Sequence, residues 1–295
     1  MDYTLSIDES VRPGTLYVVA TPIGNLGDIS ARAVHVLHGV DHIAAEDTRH
    51  SARLLAHLGI TTALSSVHEH NERARSAAIL GWLGEGKSVA LISDAGTPMI
   101  SDPGYPLVNA AVATGVPVVV VPGPTALVTA LCASGLPTDR FVFEGFLPAR
   151  GGPRRQRLQA LARLDVTRVF YEAPHRIVAT LGDMVDVLGG ERRASVAREL
   201  TKRHESLYHG SLAELHEKFS APGAERRGEF VICVAGASAP PLDRIEIETD
   251  TLLEKLLGIL PLRQAVDTAA GISGLRRNAL YQRALELSGD TPASE

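Results

Sequence analysis

Short runs of branched and apolar residues alternate with stretches of helical periodicity through the N-terminal part of this chain, and nothing else in the sequence restricts the fold as much. Residues 15–20, 42–45, 61–67, 88–93 and 116–121 read as strands. Residues 31–37, 50–58, 72–83 and 107–113 read as helices, with Gly59 and Gly115 as stops to the second and fourth. A helix between two strands returns the chain to the end of the sheet from which it left, so the strands run parallel. The alternation therefore predicts a mainly parallel sheet with helices on both faces. Residues 116–121, apolar throughout, read as a fully buried strand.

The theme repeats more loosely further on. Residues 141–146, 168–172, 194–198 and 230–235 are strand candidates, and Leu207-Tyr208-His209 before Gly210 looks like part of an antiparallel hairpin. With 295 residues, the chain is long enough for two domains at ~100–200 residues each. Pro122-Gly123-Pro124 suits a boundary between them. Residues 236–241 read as a linker, and residues 262–270 and 275–287 as two helices around Gly271 and Gly274.

Composition narrows the function classes. A formal net charge of −5 argues against a protein that coats nucleic acid without specificity. The two cysteines, Cys132 and Cys233, lie in apolar runs and read as buried small hydrophobes in a reduced protein. No run approaches the ~20 apolar residues of a membrane span. Residues 1–13 are polar and acidic, without the apolar stretch of a signal peptide, so a soluble cytoplasmic protein is expected.

Gly81-Trp82-Leu83-Gly84-Glu85-Gly86-Lys87-Ser88 matches the P-loop pattern letter for letter. A phosphate-binding loop follows a strand and opens a helix, so that free N–H groups face the phosphates. Here a helix precedes the match and a strand follows it, so it reads as a helix end and a turn. No G-x-G-x-x-G fingerprint of a nicotinamide dehydrogenase is present.

Three Gly/Pro-rich loops follow strands. They are Thr21-Pro22-Ile23-Gly24-Asn25, Ser93-Asp94-Ala95-Gly96-Thr97-Pro98 (with Ser101-Asp102-Pro103-Gly104 close behind) and Pro122-Gly123-Pro124-Thr125-Ala126. In open α/β sheets, ligands bind beyond the carboxyl ends of the strands. Three such loops in one domain point to a small-molecule site.

Those loops, in order with Ala45-Glu46-Asp47-Thr48-Arg49, His68-Glu69-His70-Asn71-Glu72, Phe143-Glu144-Gly145-Phe146-Leu147-Pro148, Tyr171-Glu172-Ala173-Pro174-His175-Arg176, Arg198-Glu199-Leu200-Thr201-Lys202 and Gly228-Glu229-Phe230-Val231, resemble the tetrapyrrole-methylase superfamily. More narrowly, they resemble its ribosomal small-subunit RNA 2′-O-methyltransferase I branch. The resemblance runs from about Gly14 to Gly236, and the C-terminal segment fits as well. It departs at Val67, where an aromatic residue is expected.

The resemblance implies two α/β lobes with a cofactor cleft between them and a small helical C-terminal segment. The parts would be a tail (1–13), an N-terminal lobe (14–122), a C-terminal lobe (123–237) and a linker with helices (238–295). The cofactor would be S-adenosylmethionine. The substrate would be 16S rRNA or the 30S subunit, methylated on the ribose 2′-oxygen of a decoding-centre cytidine (1402 in ribosomal numbering), and the enzyme would be a homodimer. A tetrapyrrole methyltransferase and a non-catalytic ribosome-binding module are the other readings.

On this reading the backbone of Asp94, Ala95 and Gly96 suits polar groups of the cofactor, and Thr125 and Ala126 open a helix with free N–H groups. By resemblance, Pro22, Ile100 and Tyr171 line the same pocket. A ribose hydroxyl is a poor nucleophile that gains from a base, for which Glu46, Asp47, His68 and His70 are candidates. Arg49 suits a phosphate clamp. His68 to Glu72 lacks helical metal-ligand spacing, so no metal is expected, and His70 and Asn71 read as RNA contacts. Arg154 and Arg155, in a run with Arg150 and Arg157, and Lys202, beside Arg198 and Arg203, follow predicted strand ends and read as phosphate contacts. Arg263, Arg276 and Arg277 sit in the C-terminal helices, which fit either an RNA-docking pair or a packing cap.

Overall fold

Strands as short and apolar as Leu16–Val19 (β1) and Val89–Ile92 (β4), buried at every position, need cover on both faces. The intervening helices supply it. In chain order the first sheet's elements are β1, Ala31–Gly39 (α1), His42–Ala45 (β2), Thr48–His57 (α2), Ala63–Ser66 (β3), Glu72–Gly84 (α3), β4, Tyr105–Ala113 (α4) and Val118–Val121 (β5). The strand order is β3-β2-β4-β1-β5, with every pairing parallel. Alternate side chains sort to opposite faces. Tyr17, Val19, Ile43 and Ile92 pack with Val36, Leu37 and Leu55 of α1 and α2, whereas Leu16, Ala44, Val89 and Leu91 pack with Ile79, Leu83, Leu107 and Ala111 of α3 and α4. Val67, at the departure from the family pattern, is buried in the second of these cores.

The structure, a computed structural model, describes residues 10–67, 72–237 and 248–288, with residues 72–74 described by their backbone alone. The chain divides into two compact units, Met1–Ala237 and Ser238–Glu295.

A second five-stranded sheet completes the first unit. After Ala126–Ala133 (α5) come Phe141–Phe146 (β6), Gly151–Leu161 (α6), Thr167–Glu172 (β7), Ile177–Leu188 (α7), Arg193–Arg198 (β8), Ser206–Ser211 (β9), Leu212–Ser220 (α8) and Phe230–Val234 (β10). The order is β6-β7-β10-β8-β9, with only the β6–β7 pairing parallel. One face packs Phe170, Val196 and Ile232 under α6, α7 and α8. The other packs Val169, Ala197, Val231 and Cys233 against Leu127, Ala130 and Leu131 of α5 and against Ile23. The second unit packs Thr249–Leu257 (α9), Leu262–Ser273 (α10) and Arg277–Ser288 (α11) around Leu253, Val266, Ala269, Leu280 and Ala284.

Several expectations are corrected. β5 is an edge strand rather than a fully buried one, because the strand order leaves one side of it open, and Val120 is 54% exposed. Cys132 is exposed on α5; only Cys233 is buried, and burial pushes its thiol up to about 12. Among its described residues the C-terminal unit has three helices where two were expected. α10 runs through Gly271 and stops at Gly274, whose φ of 69° is left-handed. The Gly81-to-Ser88 match spans the end of α3 and a turn before β4, as its context required.

Just past β10, the Ala237 N–H donates to the Leu164 carbonyl at 2.7 Å. A Cβ on Gly236 would overlap the backbone carbonyl of Asp165, which cannot swing aside as a side chain would. Gly236→Ala should therefore cost at least about 2 kcal/mol, in the range of strained or overpacked substitutions. Urea unfolding of the full chain checks this, and a change below about 0.5 kcal/mol would contradict it.

Candidate functional site

From β1 the chain crosses to β2, beyond β4; from β4 it crosses to β5, on the far side of β1. The carboxyl ends of these neighbouring strands thus lead in opposite directions, the topology that opens a ligand crevice. Thr21 and Gly96 hold the two diverging loops together. The Thr21 N–H donates to the Gly96 carbonyl at 2.9 Å, and the Gly96 N–H to the Thr21 carbonyl at 3.1 Å. Gly96 adopts φ +87°, and a Cβ there would come within 3.2 Å of Ile23. The Thr97 hydroxyl donates to the Pro124 carbonyl at 3.0 Å and so ties in the third loop.

Over these loops lies a cleft of about 370 Å³. Of the residues expected there, Asp94, Ala95, Gly96, Ile100, Thr125, Ala126, Tyr171 and Glu46 line it. Pro22 does not; its buried neighbour Ile23 takes that place. The second sheet contributes the ends of β6 and β7 and the start of β10, brought to one edge because β10 runs antiparallel to β7. Tyr171 meets Phe143 and Phe146 edge-on, with ring centroids 4.9 and 5.7 Å away. Its hydroxyl accepts the Leu127 N–H at 3.1 Å, satisfying a free donor in the first turn of α5.

The cleft is acidic. Burial, followed by the charge of Asp94, raises Glu46 above the ordinary carboxylate range. Burial pushes Asp102 up to about 6; Glu46 and Asp94 add to the rise and the Ser93 hydroxyl partly offsets it. Glu172 and Glu229 also line the cleft. Sequence reasoning did not single out Asp102, Glu172 or Glu229. The position of Asp102 in a second Gly/Pro segment behind β4 was the one available signal.

Other expected site residues lie elsewhere. Asp47 stands outside the cleft lining, at the start of α2. Its carboxylate caps α2, accepting the Arg49 N–H at 2.8 Å, and pairs with the Arg49 guanidinium at 2.8 Å. Chiefly the Arg49 side chain holds it down to about 2, and it does not line the cleft. Arg49 itself is 88% exposed. His68, His70 and Asn71 fall outside the described residues. Arg154, Arg155 and Arg157 lie on α6, with Arg150 as its N-cap residue. Arg154 is corrected as a phosphate contact, since it is buried with its Nε 2.6 Å from Asp183. Arg155 is half exposed and bonds the same carboxylate at 2.9 Å, while Arg157 pairs with Glu144 at 2.7 Å. Lys202 is likewise not a free cation, its Nζ lying 2.9 Å from Glu199 and 3.0 Å from Glu229. Among the described residues no cluster suits a metal ion, and no helix is long and apolar enough to cross a membrane.

Comparison with known proteins follows the same division of the chain. Residues 15–216 match the family described as Tetrapyrrole (Corrin/Porphyrin) Methylases, and residues 243–288 match the RsmI C-terminal HTH domain. A Pseudomonas aeruginosa protein named Ribosomal RNA small subunit methyltransferase I is 55% identical over 94% of this chain and 98% of its own length. A protein of the same name from Escherichia coli O157:H7 is 48% identical over 94% of this chain and 96% of its own. Among solved structures, a cobalt precorrin-4 methyltransferase shares the fold at 17% identity, with a TM-score of 0.58 over 75% of this chain and 94% of its own. A Thermus thermophilus uroporphyrin-III C-methyltransferase, solved with S-adenosylhomocysteine, does so at 23% identity, with a TM-score of 0.52 over 74% of this chain and 96% of its own.

The arginine geometry separates a structural from a surface role. Arg154→Ala should destabilise the fold by about 3 kcal/mol, since it leaves Asp183 short of its buried partner. Arg155→Ala should cost under about 1 kcal/mol. Chemical denaturation of the two variants would show this order; equal losses would refute it.

Proposed function

The chain belongs to the tetrapyrrole methylase family and, within it, to the ribosomal RNA small subunit methyltransferase I group, and on that premise we propose that it transfers a methyl group from S-adenosylmethionine to the ribose 2′-hydroxyl of the decoding-centre cytidine (1402 in ribosomal numbering) of 16S rRNA. The observation that carries this reading is the acidic, Gly-walled cleft at the strand switch point. A cationic ligand of nucleoside size fits its parts. Glu46 and Asp94 supply negative charge, Ile23, Ile100 and Val231 supply apolar wall, and Ala95, Gly96, Thr125 and Ala126 supply backbone polar groups. When bound, the sulfonium offers a methyl carbon open to in-line displacement.

The task left to the protein is to align donor and acceptor and to exclude water. Asp94, Ala95, Gly96, Ile100, Thr125, Ala126 and Tyr171 hold the cofactor. Arg49 meets the RNA at the rim, a task assigned also to His70 and Asn71, and Glu46 serves the acceptor, with His68 as the other candidate. Residues 14–122 and 123–237 act as the two lobes of a homodimeric, cytoplasmic enzyme. The relatives' shared name supports the ribosomal substrate, and their near full-length similarity supports carrying it over.

Incubation with methyl-labelled cofactor and 30S particles, naked 16S RNA or a tetrapyrrole precursor tests the reading. Label should enter RNA at one cytidine and make the following phosphodiester resistant to alkali. Label in the tetrapyrrole alone would overturn the reading, and cofactor binding without transfer to any acceptor would favour the binding module. Tyr171→Phe removes the hydroxyl that holds the α5 N-terminus. It should weaken cofactor binding about fivefold, the worth of one neutral hydrogen bond, with the KM for RNA unchanged; calorimetry and steady-state kinetics report the two separately.

A further inference from the structure

The cleft holds three carboxylates within electrostatic reach of one another, and their hydrogen bonds distinguish them. Asp94 accepts the Asp47 N–H at 3.1 Å. Glu46 accepts the Asp94 N–H. Asp102 takes a hydrogen bond from the neutral Ser93 hydroxyl, which leaves it acceptor capacity for a substrate proton. Its position is also enforced by the backbone. Met99 and Ser101 take left-handed φ values of 71° and 69° on either side of Ile100, and the second of them immediately precedes Asp102. Non-glycine residues hold such conformations where the surrounding structure over-determines them, commonly around a working group. Gly145 of β6 allows that over-determination, since a Cβ there would come within 3.0 Å of the Ser101 hydroxyl.

We infer that Asp102 accepts the proton of the ribose 2′-hydroxyl during methyl transfer, an inference that rests on the methyltransferase reading above. As the O–H bond breaks toward an Asp102 carboxylate oxygen, the freed electron pair on the ribose oxygen forms the bond to the methyl carbon. The sulfur is displaced with the electron pair of the broken carbon–sulfur bond. The products are a methoxy ribose, a neutral thioether and a carboxylic acid that returns its proton to water.

The titration of Asp102 makes it fit for this task. A base works best when its pKa lies near the working pH. The groups facing Asp102 are Glu46 from the end of β2, Asp94 and Ser93 from the loop after β4, and Tyr171 from β7; Glu172 and Glu229 share the cleft wall. Burial and the negative neighbours raise Asp102 to about 6, so it is ionised at neutral pH and far more basic than an exposed aspartate.

The test compares wild type with Asp102→Asn and Ser93→Ala in the full chain. The rate of RNA methylation by wild type should rise with pH through a limb near 6. Asp102→Asn should lower kcat about 10²- to 10⁴-fold and abolish the limb, with cofactor affinity and thermal midpoint close to wild type. Ser93→Ala should move the limb to higher pH, because the hydroxyl that stabilises the carboxylate is gone. A readout independent of turnover is the infrared carboxyl band of the cofactor-free protein. A group titrating near 6 should be present in wild type, absent in Asp102→Asn and shifted upward in Ser93→Ala. Asp102→Asn within about fivefold of wild type, or a loss explained wholly by weaker cofactor binding, would overturn the inference. Should Asp102→Asn fail to fold, an unmoved limb and band in Ser93→Ala would overturn it instead. A wild-type enzyme that methylates no RNA would overturn the methyltransferase reading, a result distinct from an active Asp102→Asn.

Discussion

Two backbone hydrogen bonds between Thr21 and Gly96 hold together the loops from β1 and β4, which would otherwise part at the switch point. Much of the site depends on that bridge. It places Ile23 against the second sheet, where it joins Leu127, Val169 and Val231 in one apolar cluster. The Thr21 hydroxyl adds a bond to the Ser93 carbonyl at 3.2 Å, and Thr97 bonds the Pro124 carbonyl, so the loop that opens α5 follows the other two. Gly96 suits its place in the loop because its φ is +87° and a Cβ there would crowd Ile23. The cleft floor is thus a backbone structure, and side chains act on it only where they project from it.

An acidic cleft in an enzyme for an acidic polymer looks contradictory until distances are considered. At physiological ionic strength, exposed charges are screened within about 8 Å. Carboxylates that are partly buried at the cleft floor act mainly on what enters it, and their charge suits a cation. Many of the expected rim cations are already neutralised by Asp183, Glu144, Glu199 and Glu229. Arg49 projects into solvent, but even it is paired with Asp47. The net charge of −5 is in keeping with cations that are paired in this way.

The parallel sheet, its helices on both faces and most of the cleft wall were legible because they follow from local patterns. Strand alternation shows in the sequence, and a Gly/Pro loop behind a strand is itself the floor of the site. What was not legible depends on partners distant in the chain. β5 reads as buried by composition, but strand order alone decides that it lies at an edge. The face of α6 that carries Arg154 is fixed by Asp183 on α7, 29 residues away. The weakened acidity of Asp102 comes from burial and from charges that include Glu46, which is distant in the sequence. α9 has a helical pattern, but its apolar residues only make sense against α10 and α11.

Strain on the far side of the cleft completes the argument for a preorganised site. Glu199 and Thr201 are non-glycine residues with positive φ, at 52° and 64°, in the loop after β8. That loop reaches across to the one after β1, where the Thr201 hydroxyl accepts the Asn25 N–H at 3.1 Å. It packs against Gly24, at which any Cβ would strike Lys202. Lys202 in turn bridges Glu199 to Glu229 on the cleft wall. Each such residue costs roughly 1–3 kcal/mol relative to relaxed backbone, and a loop held in place only by its own sequence would relax. These loops stay strained because each is braced by the opposite lobe, so the cost of aligning the two walls is met on folding rather than on binding. In-line methyl transfer, with little tolerance for a misplaced acceptor, gains most from a cleft built in this way.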